Sequence, residues 1–158
     1  KSIANICNLG VWMSNIHLLG GQEMIEAATS TVKGLNSEMI LVGVTILTSL
    51  NENNLVEMGF NSSAEDLAIK LAKLGKQNDI DGVVCSIEDV SGIKASLGGD
   101  FLSVTPGVRM LQDIDDQKRA GSIYDAIQFG TDFVVVGREI TQAKNPEGVL
   151  KKIESLIV

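Results

Sequence analysis

A run of apolar residues long enough to cross a membrane is the first thing this chain lacks. No stretch approaches the ~20 residues that a helical span needs, and no signal peptide is visible. Basic residues are scarce too. A net charge of −7 makes the surface a poor general partner for nucleic acid, so any anion must be caught by a local cluster working against the overall field. Cysteine is limited to Cys7 and Cys85, without metal or disulfide spacing. Both fall in segments that read as core elements, which points to buried thiols in a reducing, cytoplasmic compartment. The single histidine, His17, has no neighbours to make a metal set and reads as a hydrogen-bonded structural residue. Ser86 has no paired base in evidence, so it reads as a helix cap and not a nucleophile. The chain begins at Lys1, without an initiator methionine.

What is present is an alternation. The 158 residues suffice for one domain with a real core, spanning 1–158. Ser2 to Leu9 reads as a helix stopped by Gly10, and Val11 to His17 as a strand. Met24, Ile25, Ala28 and Val32 recur at helical spacing from Gln22 onward. Met39 to Leu47 is nearly all apolar, the mark of a parallel strand covered on both faces. A short helix follows around Leu55 to Met58. Ser62, with Glu65 completing a capping box, opens a longer one whose stripe is Ala64, Leu67, Ala68, Leu71 and Leu74. Asp81 to Ser86, Phe101 to Thr105 and Phe133 to Val136 are the remaining strands. Ser86 with Asp89 and Ser122 with Asp125 start the helices between them, and Gly130 stops the second. Asn145-Pro146-Glu147 starts the last helix, facing inward through Val149, Leu150, Ile153, Leu156 and Ile157.

Strand then helix, repeated through five strands, predicts an α/β fold with a parallel sheet. No Gly-rich dinucleotide loop follows the first strand, which favours a (β/α)₈ barrel over a doubly wound open sheet. Five strands cannot close eight staves, and a typical barrel needs about 250 residues. The expectation is a barrel lacking about three βα units at its front. Two strands end on a glycine with an arginine at hand: Gly107 with Arg109, and Gly137 with Arg138. Glycine leaves backbone N–H groups open to a ligand, and a guanidinium offers a planar fork suited to phosphate. Barrel enzymes commonly hold phosphate at the loops after their last two strands.

The stretches Gly-Val-Trp-Met-Ser-Asn-Ile-His (10–17), Val-Thr-Ile-Leu-Thr-Ser-Leu (44–50), Asp-Gly-Val-Val-Cys-Ser (81–86), Val-Thr-Pro-Gly-Val-Arg (104–109), Asp-Asp-Gln-Lys-Arg (115–119) and Val-Gly-Arg-Glu-Ile-Thr (136–141) together resemble the bacterial orotidine 5′-phosphate decarboxylases. They occur in the family's order and cover nearly the whole chain. The resemblance implies a TIM barrel represented here by strands 4 to 8. It also implies a homodimer that converts orotidine 5′-monophosphate to uridine 5′-monophosphate and CO₂ without metal or organic cofactor. The family's reactive Asp-x-Lys-x-x-Asp motif would lie just before Lys1, so no catalytic residue is expected within this chain.

By the same resemblance Arg138 and the Gly137 N–H are expected at the substrate phosphate, and Arg109 and Gln117 on a loop that folds over it. Thr48 matches a substrate-contacting position at the end of the barrel's fifth strand, and Ser2 a hydroxyl at the end of the third-strand segment. Each has a plainer alternative: a surface arginine for Arg138, a solvated polar loop for Arg109 and Gln117, a turn cap for Thr48 and a helix cap for Ser2. Lys118, Arg119, Asp113, Asp115 and Asp116 read as solvated loop residues. One rival reading is a sugar-phosphate decarboxylase or aldolase of the same barrel type, which would usually need Mg²⁺. The other is a non-catalytic phosphate-binding or dimerisation module. Either way, five staves leave open parallel edges, an aggregation liability. The 158-residue chain alone is therefore expected to be poorly soluble, and a monodisperse, cooperatively unfolding preparation in size-exclusion and melting experiments would contradict that.

Overall fold

A computed structural model describes residues 1–110 and 121–157. Five parallel strands form one sheet: β1 (Met13–His17), β2 (Ile40–Val44), β3 (Gly82–Val84), β4 (Leu102–Pro106) and β5 (Phe133–Val135), in the order β1-β2-β3-β4-β5. Before and between them lie α1 (Ser2–Asn8), α2 (Gln22–Gly34), α3 (Glu52–Glu57), α4 (Ala64–Gln77), α5 (Val90–Leu97) and α6 (Ile123–Gln128). The short α7 (Arg138–Thr141) and α8 (Pro146–Ile157) follow β5.

Local chemistry sets most boundaries. Gly10 at φ +67° ends α1. Ser86 with Asp89 and Ser122 with Asp125 form reciprocal capping boxes, as the sequence predicts. The Asn145 side chain accepts the Gly148 N–H at the start of α8. The cap of α4 is one residue later than expected. Ser63, not Ser62, accepts the Asp66 N–H, and Glu65 plays no part in a box. Two strands are shorter than their apolar runs: β2 stops at Val44 and β3 at Val84. Ile46 and Cys85 stay buried beyond those points because the core continues past the ladder. On α8 only Ile153 is buried; Leu150 and Ile157, expected inside, sit at the edge of its stripe and are exposed.

Strand order separates the two α/β architectures. A doubly wound sheet reverses direction at a switch point. Here each strand pairs with the next in sequence, so the right-handed crossovers usual in such units put the connecting helices on one face. Leu41, Val83 and Ile16 pack in the main cluster with helix residues Ile25, Leu67, Leu71 and Ile93. Where Gly43 faces that side, an added Cβ would lie 2.4 Å from the fully buried Leu18, so only glycine admits the close approach. The alternate residues form rows across the other face: His17, Val44, Val84, Val104 and Phe133 share one register level. The sheet curls around that face. Trp12, just before β1, meets Phe133 of β5 edge to face with centroids 5.3 Å apart. On a flat sheet strands four spacings apart are about 19 Å distant. The fold is thus five staves of a (β/α)₈ barrel, as expected.

The N-terminal ends of the strands are pinned by two aspartates in equivalent places. Asp81, before β3, accepts the Leu41 N–H of β2 at 2.7 Å. Asp132, before β5, accepts the Ser103 N–H of β4 at 2.7 Å, the Ser103 hydroxyl at 2.8 Å and the Lys94 ammonium at 2.6 Å. Partial burial pushes the Asp132 carboxyl up, but the hydrogen bonds from Lys94 and Ser103 outweigh it and hold the pKa below the usual value. A carboxylate that is more acidic folded than unfolded stabilises the fold where it is ionised. That contribution is complete above the unfolded pKa of about 3.9 and is lost as pH falls through the folded value beneath it. Asp132→Asn is expected to cost about 2 kcal/mol at pH 7 in urea unfolding. The gap from wild type should narrow at pH 3, and a gap independent of pH would contradict this role.

Candidate functional site

In a βα unit the helix runs back along its strand, so strand C-termini and helix N-termini share one end of the barrel. Gly107, Arg109, Gly137, Arg138, Thr48 and Ser2 all lie toward that end. β4 pairs with β5 through Thr105↔Val134 and Pro106↔Val135, which sets Gly107 beside the residues leading into Gly137. Gly107 has φ +77°, a left-handed turn that a β-branched side chain would resist. Val108 then anchors the loop in a second cluster with Ile87, Ile123, Ala126 and Ile153.

Arg109 is half-buried and tied at its backbone. Its N–H donates to the Gly121 carbonyl at 3.1 Å, and its own carbonyl accepts the Ile123 N–H at 2.9 Å, forming an isolated parallel bridge with Ser122. Ser122 is itself locked by Asp125, 2.7 Å from its hydroxyl. After β5, Gly137 is exposed, and an added Cβ there would meet nothing within 4 Å. Arg138 opens α7 with an exposed side chain. The two loops are joined directly: the Met110 N–H donates to the Glu139 carboxylate at 2.9 Å. Nothing in the sequence signals this contact, because it is made by a polar residue reaching 29 positions back along the chain.

Thr48 is placed differently from expectation, whereas α1 starts at Ser2 as expected. β2 ends at Val44, so Thr48 does not end the strand; it lies half-buried in the turn closed by the Leu50 N–H on the Leu47 carbonyl. The hydroxyl nearest the strand end is that of Thr45, which is buried and donates to the Val84 carbonyl at 2.9 Å. Ser2 is not the cap of α1. Lys1 holds that position and Ser2 is an exposed first helical residue, so the plain capping reading fails. His17 ends β1 and is exposed. Gln117, with Asp113, Asp115, Asp116, Lys118 and Arg119, lies outside the described residues.

Charge separates this strand-end site from a concavity elsewhere among the described residues. A cavity of about 320 Å³ is lined by Asn51, Glu52, Ser63, Ala64, Glu65, Glu88 and Asp89, and its carboxylates would repel a phosphate. Among the described residues no group of three or more His, Cys, Asp or Glu is placed to hold a metal ion, and no helix is long and apolar enough to cross a membrane.

Comparison with known proteins identifies the family. A curated protein named orotidine 5′-phosphate decarboxylase from Neisseria meningitidis serogroup A is 39% identical over 158 residues, covering 96% of this chain and 64% of its own length. The protein of that name from Hydrogenovibrio crunogenus is 43% identical over 150 residues, covering 94% and 64%. The crystal structure of orotidine 5′-phosphate decarboxylase from Lactobacillus acidophilus superposes with a TM-score of 0.84 at 30% identity, over 98% of this chain and 66% of that one. The chain thus spans just under two thirds of the length of these relatives. The family model described as "Orotidine 5'-phosphate decarboxylase / HUMPS family" matches residues 1–153, and the chain belongs to that family.

Proposed function

We propose that the protein carrying these residues decarboxylates orotidine 5′-monophosphate to uridine 5′-monophosphate in pyrimidine biosynthesis. The observation behind this reading is the joining of two glycine–arginine loops at neighbouring strand ends, in a chain about 40% identical to proteins named as that decarboxylase. Gly137 and Arg138 take the 5′-phosphate, with Arg109 and Gln117 closing on it from the loop after β4. Thr48 and Ser2 form part of the wall around the pyrimidine and ribose. The reacting carbon faces an Asp-x-Lys-x-x-Asp motif upstream of Lys1. There an aspartate destabilises the substrate carboxylate, the lysine protonates the carbon left behind, and the second aspartate comes from the other subunit of a homodimer. The protein works in the cytoplasm, where Cys7 and Cys85 remain thiols.

The phosphate is remote from the bond that breaks, so its grip contributes through binding energy that holds the ring in place. Related barrels acting on sugar phosphates would use the same clasp, and substrate choice therefore falls to the pyrimidine wall.

Residues 1–158 alone are expected to show no turnover of orotidine 5′-monophosphate by the loss of its ultraviolet absorbance. Robust turnover would refute the upstream placement of the lysine. In the full natural polypeptide, Arg138→Ala should weaken uridine 5′-monophosphate by roughly thirtyfold, about 2 kcal/mol, and leave uridine unchanged. Equal loss of both ligands in calorimetric titration would remove Arg138 from the phosphate.

A further inference from the structure

We infer that Glu139 is a positioning residue for this anion site, an inference that rests on the phosphate reading of the loops after β4 and β5. A carboxylate one residue from Arg138, and bonded to the residue after Arg109, is at first sight misplaced. Its charge opposes any anion that the two arginines attract. Its structural use is specific. It accepts the backbone N–H of Met110 at 2.9 Å, and this bond spans the two loops. Arg109 is already held from the other side by the bridge to Ser122, so the Glu139 contact fixes the second side of the same short segment. Glu139 is half-buried in the first turn of α7, where its backbone is set by the Ile140 and Thr141 N–H groups donating to the Gly137 carbonyl at 3.0 and 3.1 Å. One side chain thereby couples the position of the Arg109 segment to that of the Gly137–Arg138 turn.

The two possible effects of Glu139 have opposite signs, which makes the inference testable. If its charge alone mattered, any neutral replacement would tighten anion binding. If it positions Met110 and Arg109, Glu139→Gln retains an amide oxygen of the same reach for the Met110 N–H, whereas Glu139→Ala leaves that donor unpaired.

Uridine 5′-monophosphate and uridine are titrated calorimetrically into the full natural polypeptide and the two variants. Glu139→Ala is expected to weaken uridine 5′-monophosphate about tenfold, with Glu139→Gln within about twofold of wild type and uridine unchanged throughout. Tighter or unchanged nucleotide binding by Glu139→Ala would overturn the inference. So would equal loss of nucleotide and nucleoside, the signature of general damage to the fold. Arg138→Ala, titrated alongside, separates the two levels. If it spares the nucleotide, the phosphate reading itself fails; if it weakens the nucleotide selectively while Glu139→Ala does not, only the role of Glu139 fails.

Discussion

The parallel pairing of β4 with β5 is the constraint on which the rest of this structure depends. Three register pairs, Val104↔Phe133, Thr105↔Val134 and Pro106↔Val135, leave both strands ending at one level. That level fixes where each following loop starts. Gly107 comes to lie beside the residues leading into Gly137 because their strands pair, although 29 residues separate the two glycines in sequence. Parallel strands need a long crossover, and the chain from Pro106 to Phe133, carrying α6, supplies it.

The strand pair is secured at both ends by carboxylates doing different work. At the N-terminal end Asp132 gathers a backbone N–H, a hydroxyl and an ammonium around one oxygen. At the C-terminal end Glu139 takes a single backbone N–H from the facing loop. The first contact joins a strand, a helix and a turn at the end of a barrel where residues usually serve stability. The second joins two loops at the end where they usually serve chemistry. Curvature completes the arrangement. The Trp12–Phe133 ring contact shows how close the outer strands come, so that one face of the sheet becomes an interior with the strand ends around it.

Much of this was legible from residues alone, and the misses have physical causes. The boxes at Ser86–Asp89 and Ser122–Asp125 were readable because a single hydroxyl precedes a single well-spaced acid. At the start of α4 two serines are followed by two acids, so the pattern fits two registers and packing of Ala64 and Leu67 decides for Ser63. The strand containing Met39 to Leu47 was located correctly but overextended. Apolar character reports burial, and Ile46 stays buried after its backbone has left the ladder. Thr48 lies beyond the strand end for the same reason.

The sequence by itself determined the alternation of strands and helices, the two glycine–arginine strand ends and the family, because these depend on residue type and local spacing. Tertiary structure alone decided that Asp132 pins one end of the strand pair, that Glu139 spans the loops at the other, and that Trp12 reaches Phe133. Each of those contacts joins residues far apart in the chain, and only the curled parallel sheet brings them within bonding distance.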